Sequence, residues 1–342
     1  MKAIVHHGSG PADVLQLTDR PVPEPGPGEV RLRVVVSGVN PTDWKSRSGG
    51  YGAVDDSEAV PNQDGAGVVD AIGDGVDGLT AGDRAWATLA AYQRPTSGTA
   101  QEFTVVPVER VFQLPDNAGF DLGAGVGIPA ITAHRALTIA EDGPARLRPG
   151  ALGGRTVLVA GGAGAVGNAA IQLARWAGAT VVTTVSSSAK AVLSRAAGAD
   201  HVVDYTTQDV AAAVREVAPE GIDIVVEVAI GANAEADLAV LKPLGTIAVY
   251  ANNGDRPFAP EVRRFMGLNA RLQFVLLYTL GWDRLRAAGD DVNAAVAAGA
   301  FRVGEEAGLP LHRFALEDAA AAHRAVETAT VGKVLIDVTP AT

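Results

Sequence analysis

The segment Thr156–Val185 reads TVLVAGGAGAVGNAAIQLARWAGATVVTTV, and Gly162, Gly164 and Gly167 give it a G-x-G-x-x-G spacing directly after an apolar run. Glycines so placed let a backbone turn tightly, approach a pyrophosphate and pack the next helix against a sheet. The chemistry indicated is dinucleotide binding. Which dinucleotide is read from the end of the second apolar run, where an NAD-selective unit usually carries Asp or Glu for the ribose 2′-hydroxyl. Here the chain continues Ser186-Ser187-Ser188-Ala189-Lys190, with no carboxylate. Ser186 and Ser187 offer hydroxyls and Lys190 a positive charge, as a 2′-phosphate would need, so the expected cofactor is NADPH. The same serines also suit helix N-capping, and Lys190 also suits a solvated helix position.

The elements that must hold this loop follow from periodicity. From about residue 130, helical and strand-like stretches alternate: Ile131–Ala140, Thr156–Ala160, Val166–Ala177, Thr180–Val185, Ala189–Ala197, His201–Asp204, Asp209–Val217, Ile222–Val228, Ala234–Leu241 and Thr246–Tyr250. That alternation predicts a doubly wound parallel sheet, an α/β architecture. Ile222–Val228 and Gln273–Tyr278 read as continuous apolar strands covered on both faces. The first half instead offers short β-like runs (Lys2–His6, Val30–Ser37, Ala66–Ile72, Arg84–Leu89, Gln101–Pro107) between turn clusters such as PVPEPGPGE, which predicts a barrel-like antiparallel unit. After Trp282 come a helix (Trp282–Ala298), a second helix (Glu317–Thr328) and a closing strand (Lys333–Val338), expected to pack back on the first unit.

With 342 residues, two domains are expected. A formal net charge of −11 and the lack of any Lys/Arg run argue against nucleic acid or an anionic membrane as partner. No run approaches the ~20 apolar residues of a membrane span, and no leader is evident, so the protein is expected to be cytoplasmic. The absence of cysteine excludes disulfides, thiolate zinc sites and cysteine nucleophiles. The six histidines are scattered, and the pair His6-His7 reads as polar surface.

The motifs SGVNPTDWKSRSGGY, PNQDGAGVV, LTAGDRAWA, GTAQEFTVVP, GIPAITAHRAL, VLVAGGAGAVG, GADHVVDY, KPLGTIAVYA and EDAAAAHRAVETATVGKVLIDV occur in that order over residues 1–338. In these the chain resembles the zinc-free quinone oxidoreductases, the zeta-crystallin-like branch of the medium-chain dehydrogenases/reductases. The resemblance implies a GroES-like catalytic domain (1–129), a Rossmann NADPH-binding domain (130–280) and a tail (281–342) that completes the first domain. It further implies that Asn40 and Thr132 face the nicotinamide amide and that Ala163, Gly164, Ala165 and Val166 line the pyrophosphate. Tyr205 would lie near the adenine or the 2′-phosphate. Tyr250, Ala251, Asn252, Val275, Leu276 and Leu277 would border the nicotinamide ribose, and Lys333 would approach the cofactor.

Zinc-dependent alcohol dehydrogenases share that architecture, with a Cys where this chain has Asn40 and Gly-His-Glu where it has Asn62-Gln63-Asp64. Amides are poor zinc ligands, so no metal is expected. Without a Lewis acid, hydride addition suits a quinone or an α,β-unsaturated carbonyl, whose charge is delocalised after attack. Tyr51, Trp44, Lys45 and Tyr92 are candidates for the substrate pocket, with Tyr51 as hydrogen-bond donor to the substrate oxygen and Asn40 as a positioning group. Two other readings stay open. One is an enoyl-thioester reductase whose Arg263, Arg264 or Arg271 binds pantetheine phosphates, and the other is a catalytically idle NADPH-binding protein. The apolar run LQFVLLY, placed at a sheet edge, predicts pairing with its twin in a homodimer.

Overall fold

The computed structural model describes residues 1–50, 57–254 and 256–340. The chain divides into two compact units, one of residues 1–128 with 310–342 and one of residues 129–309. The first unit opens with strands β1 (Lys2–His7), β2 (Gln16–Asp19) and β3 (Glu29–Val39), helix α1 (Pro41–Arg47), and strands β4 (Glu58–Ala59), β5 (Asp64–Ile72), β6 (Arg84–Ala87), β7 (Phe103–Pro107) and β8 (Val111–Gln113). Helix α2 (Phe120–Leu137) leads out of this unit.

The second unit holds β9 (Thr156–Val159), α3 (Ala165–Trp176), β10 (Thr180–Val185), α4 (Ser188–Ala196), β11 (His201–Asp204), α5 (Val210–Val217), β12 (Ile222–Glu227) and α6 (Ile230–Val240). It continues with β13 (Leu241–Val249), α7 (Val262–Leu268), β14 (Arg271–Phe274) and α8 (Trp282–Ala297). The chain then returns to the first unit as β15 (Leu311–Ala315), α9 (Ala319–Glu327) and β16 (Lys333–Asp337).

In the first unit the main sheet runs β15-β16-β3-β5-β6-β8, with β7 also on β3. Its long strand β3 pairs antiparallel with both β16 (Val334 opposite Val39) and β5 (Gly38 opposite Asp64). Those two registers bring residues 38–40, 64 and 333 together. Val30, Leu32, Val69, Ala85 and Val106 form one apolar cluster and Ile4, Val39, Val60, Leu316 and Ile336 another.

The second unit is a six-stranded parallel sheet in the order β11-β10-β9-β12-β13-β14. Chain order reverses between β9 and β12, the switch point at whose carboxyl ends ligands bind in such sheets. Val157, Val159, Val225, Val226, Ile247 and Ala248 are at most 4% exposed, as strands covered on both faces require.

Several expectations are corrected. The helix expected over Ile131–Ala140 begins at Phe120 and ends at Leu137. Its first half, with three glycines and Pro129, has weak helix propensity, and burial of Ala124, Val126 and Ile131 overrides it. The apolar run Gln273–Tyr278 is not a doubly covered strand. Only Arg271–Phe274 pairs, along one side of β13, and Phe274 is 60% exposed. Helix α8 lies in the second unit and not with the first; the return begins at Pro310. His6 is buried, with Nδ1 2.9 Å from the Gly8 carbonyl oxygen, so only His7 of that pair is surface.

Candidate functional site

The glycine loop between β9 and α3 divides its glycines by task. A Cβ on Gly162 would lie 2.1 Å from Thr183 Oγ1, and one on Gly167 2.3 Å from the Gly161 carbonyl oxygen. These two positions are closed by the protein's own packing. Gly161 adopts φ +69°, and Gly164 caps α3. A Cβ on Gly164 would meet only the Gly161 carbonyl oxygen, at 3.4 Å, so a ligand's backbone approach is free there. Gly164 is exposed and Ala165 and Val166 half-buried, while Ala163 is turned inward at 4% exposure. The first-turn N–H groups of a helix lack intrahelical acceptors, so this turn fits a diphosphate.

Beside it, the Gly162 N–H donates to the Thr184 carbonyl (3.2 Å), which fixes the loop to the end of β10. The Ser187 hydroxyl accepts from the Lys190 N–H and caps α4, so the capping role of that serine is realised. Lys190 Nζ donates to Ser186 Oγ at 2.8 Å. The Tyr205 N–H donates to the Val185 carbonyl, which holds Tyr205, 53% exposed, against the same strand end. Ser186, Lys190 and Tyr205 thus gather at one edge of the sheet with the glycine loop.

The next two carboxyl ends are tied to one another. The Tyr250 N–H donates to the Glu227 carbonyl, and burial beside Glu227 raises the pKa of the Tyr250 hydroxyl. Asn252 accepts from the Gly231 N–H (3.0 Å) and donates to the Arg256 carbonyl (2.9 Å), so its amide fastens the two loops. Ala251 is half-buried. Val275 and Leu277 are buried and only Leu276 projects, at 56% exposure. Thr132 is buried on α2. Sequence reasoning missed Glu227 and Asp237, both buried. Glu227 accepts from the Ala229 N–H and Asn233 Nδ2, and burial raises both carboxyls. The signal for Glu227 was an acid inside the apolar run IDIVVEVA; Asp237, on α6, had none of that kind.

In the first unit, Asn40 and Lys333 meet in a buried polar cluster. Lys333 Nζ donates to Asn40 Oδ1 (2.6 Å) and Asn40 Nδ2 to Asp64 Oδ2 (2.7 Å). Asp64, fully buried, also accepts from the Ile128 N–H (2.8 Å) and the Thr88 hydroxyl (2.9 Å). Pro129 lies inside α2, and the Ile128 N–H just before it is the one that Asp64 takes. A Cβ on Gly127 would sit 2.1 Å from Asp64 Oδ1, so only glycine admits the carboxylate. Asp43 accepts from the N–H groups of Asn40 (2.7 Å) and Gln63 (3.0 Å), and burial next to Asp64 pushes its carboxyl up to about 7. Lys333 is 2% exposed, so it serves this cluster rather than reaching outward. Asp43 and Thr88 were not singled out from sequence, and Asp64 was read there only as standing where zinc-dependent relatives have Glu.

Among the described residues no cluster of three or more His, Cys, Asp or Glu could hold a metal, and no helix is long and apolar enough to cross a membrane. Tyr51 lies outside the described residues. Lys45 Nζ sits 5.8 Å from the Trp44 ring centroid, and Arg110 lies over Tyr92 and donates to its carbonyl. Arg264 pairs with Glu235 and Arg271 with Glu141 and Asp142, so both are neutralised; Arg263 is on the exposed side of α7.

Residues 26–116 match the family described as alcohol dehydrogenase GroES-like domain and residues 165–294 that described as zinc-binding dehydrogenase. The chain is 34% identical to the synaptic vesicle membrane protein VAT-1 homolog of Rattus norvegicus, over 73% of this chain and 59% of that one. It thus spans about three-fifths of such relatives. It is 31% identical to the quinone oxidoreductase of Homo sapiens over 76% of each chain. With the 2-haloacrylate reductase of a Burkholderia species it shares 30% identity over 95% of this chain and 94% of that one. Among solved structures, a mycobacterial protein complexed with NADPH is 30% identical with a TM-score of 0.80, covering 98% and 99% of the two chains. A quinone oxidoreductase of Pseudomonas syringae is 26% identical with a TM-score of 0.81 over the same shares.

Proposed function

This chain belongs to the zinc-free quinone oxidoreductase branch of the medium-chain dehydrogenase/reductase superfamily, and from that premise we propose that it is an NADPH-dependent reductase of quinones or α,β-unsaturated carbonyls. The observation that carries the reading is the segment after β10, where Lys190 and Ser186 are joined and residues 186–190 include no carboxylate. When bound, the reduced nicotinamide supplies a hydride from its C4.

The protein's own groups do the rest. The turn Gly164–Val166 holds the diphosphate with backbone N–H groups; Ser186, Lys190 and Tyr205 hold the phosphorylated ribose. Asn40 and Thr132 orient the nicotinamide amide, and Leu276 borders the ribose. Tyr51 donates a hydrogen bond to the substrate oxygen. Holding donor and acceptor carbons about 3–3.5 Å apart, with water excluded, supplies much of the rate in such transfers. A conjugated acceptor delocalises the charge it gains, so its reduction asks for no Lewis acid. The neutralised Arg264 and Arg271 leave little for a thioester's phosphates.

We place the protein in the cytoplasm as a homodimer paired through β14, an edge strand with Phe274 exposed. The function is tested by NADPH consumption with 1,4-benzoquinone, 9,10-phenanthrenequinone, a simple enone and crotonyl-CoA. Turnover of the first three supports the reading, and crotonyl-CoA alone would make it a thioester reductase. Tight NADPH binding with no turnover would make it an idle binding protein. Tyr51→Phe with unchanged kcat would remove Tyr51.

A further inference from the structure

A lysine whose charged end is fully enclosed needs a reason to be there. Lys333 opens β16, and its stem runs across β3 at Gly38, where a Cβ would lie 3.2 Å from Lys333 Cε and 2.0 Å from the Ala124 carbonyl oxygen. Its ammonium donates to Asn40 Oδ1 at 2.6 Å and stands 3.9 Å from Asp64 Oδ2. Burial lowers its pKa, and the charges of Asp64 and Asp43 oppose that. Such buried ionic sets are often no more stable than an apolar replacement, so stability is a weak account of them.

What the arrangement does accomplish is orientation. An ammonium only donates and a carboxylate only accepts, so an asparagine between them has one amide sense, Oδ1 to Lys333 and Nδ2 to Asp64. One Nδ2–H is then not used by Asp64, and the planar amide fixes its direction once the other two contacts are made. We infer that Lys333 is a positioning residue, which with Asp64 locks Asn40 so that its remaining amide N–H is presented to the carboxamide of the nicotinamide. This rests on the proposed reading that Asn40 serves the cofactor. Lys333 acts through Asn40 and makes no contact with the cofactor itself.

The test is a double-mutant cycle on NADPH affinity, read by NADPH fluorescence so that no acceptor substrate is needed. Lys333→Met and Asn40→Ala should each weaken NADPH about tenfold, and the double variant should lose no more than Asn40→Ala alone. Because the chain has no other thiol, Lys333→Cys can be aminoethylated with 2-bromoethylamine in denaturant and refolded, which restores a lysine-like ammonium and should restore affinity to within threefold. If Lys333→Met does not fold, Lys333→Arg replaces it in the cycle, with the same non-additive loss expected. NADPH affinity within twofold of wild type in Lys333→Met, or losses that multiply in either double variant, would overturn the inference. Wild-type protein that binds no NADPH would instead overturn the cofactor reading, and with it the role given to Lys333.

Discussion

Replacing Lys190 by alanine isolates the interaction on which cofactor choice depends. Alanine is the better helix former, so α4 is preserved, and the Ser187 cap uses the backbone N–H of residue 190, which the change retains. The loss is the ammonium that Ser186 Oγ holds at 2.8 Å. A ribose 2′-phosphate carries about −1.5 to −2 charges near neutral pH, and a hydrogen bond to a charged group contributes about 1.5–3 kcal/mol. Lys190 is half-buried, so solvent screening places the value near the low end, about 1.5–2 kcal/mol. That corresponds to a roughly 10–30-fold rise in the Kd of NADPH. NADH has an uncharged hydroxyl at that position, and its Kd should stay within about twofold. Both constants are measured by fluorescence titration at two ionic strengths, and added salt should weaken NADPH in the wild type more than in Lys190→Ala. Parallel weakening of NADPH and NADH, or an unchanged ratio, would refute the assignment of this edge to a 2′-phosphate.

The two kinds of glycine separate fold from binding. Gly162→Ala drives a Cβ against Thr183 Oγ1 and should destabilise by about 1–3 kcal/mol, seen as a lower Tm, whereas Gly164→Ala should leave Tm within a degree or two and weaken the dinucleotide. Asp43, raised to about 7 in the folded state against an ordinary value near 3.8, binds its proton more tightly folded than unfolded. Its contribution is therefore full below about pH 4 and is lost as pH rises through about 7, a change of roughly 2–4 kcal/mol. Urea melts should show this slope, and Asp43→Asn should flatten it. His323 has the opposite sense. Burial lowers it from 6.5 to about 3, so its protonation in the unfolded chain destabilises the fold as pH falls from about 6.5 towards 3, and His323→Gln should lessen that acid sensitivity in the same melts. Phe274→Glu should convert the dimer to a monomer by light scattering, and a wild-type monomer would contradict pairing through β14.

The second unit was legible because its signals are local. The apolar run before the glycines, the serine cap and the alternation from Thr156 to Tyr250 each lie within one window. LQFVLLY was rightly set at a sheet edge, but Gln273–Tyr278 misled as a strand covered on both faces, since hydrophobicity alone cannot tell a covered strand from an edge, and here Phe274 and Leu276 are the exposed members. Helix α2 was hidden by its own glycines and Pro129. Those residues become intelligible only when Asp64 is seen taking the Ile128 N–H. The buried cluster escaped for a related reason: Asn40, Asp64 and Lys333 are separated by hundreds of residues in part, and only the pairing of β3 with β5 and β16 joins them. The family resemblance marked Asn40 and Lys333 as cofactor groups; their mutual hydrogen bond was invisible in the sequence.

The central claim is that hydride passes from a phosphorylated nicotinamide to an activated alkene or quinone. Mass spectrometry of 2-cyclohexenone incubated with the protein and NADPH deuterated at C4 tests it most directly. The account predicts cyclohexanone with one deuterium at the β-carbon, formed faster than with deuterated NADH. Deuterium at the carbinol carbon of an allylic alcohol, or a preference for NADH, would contradict it.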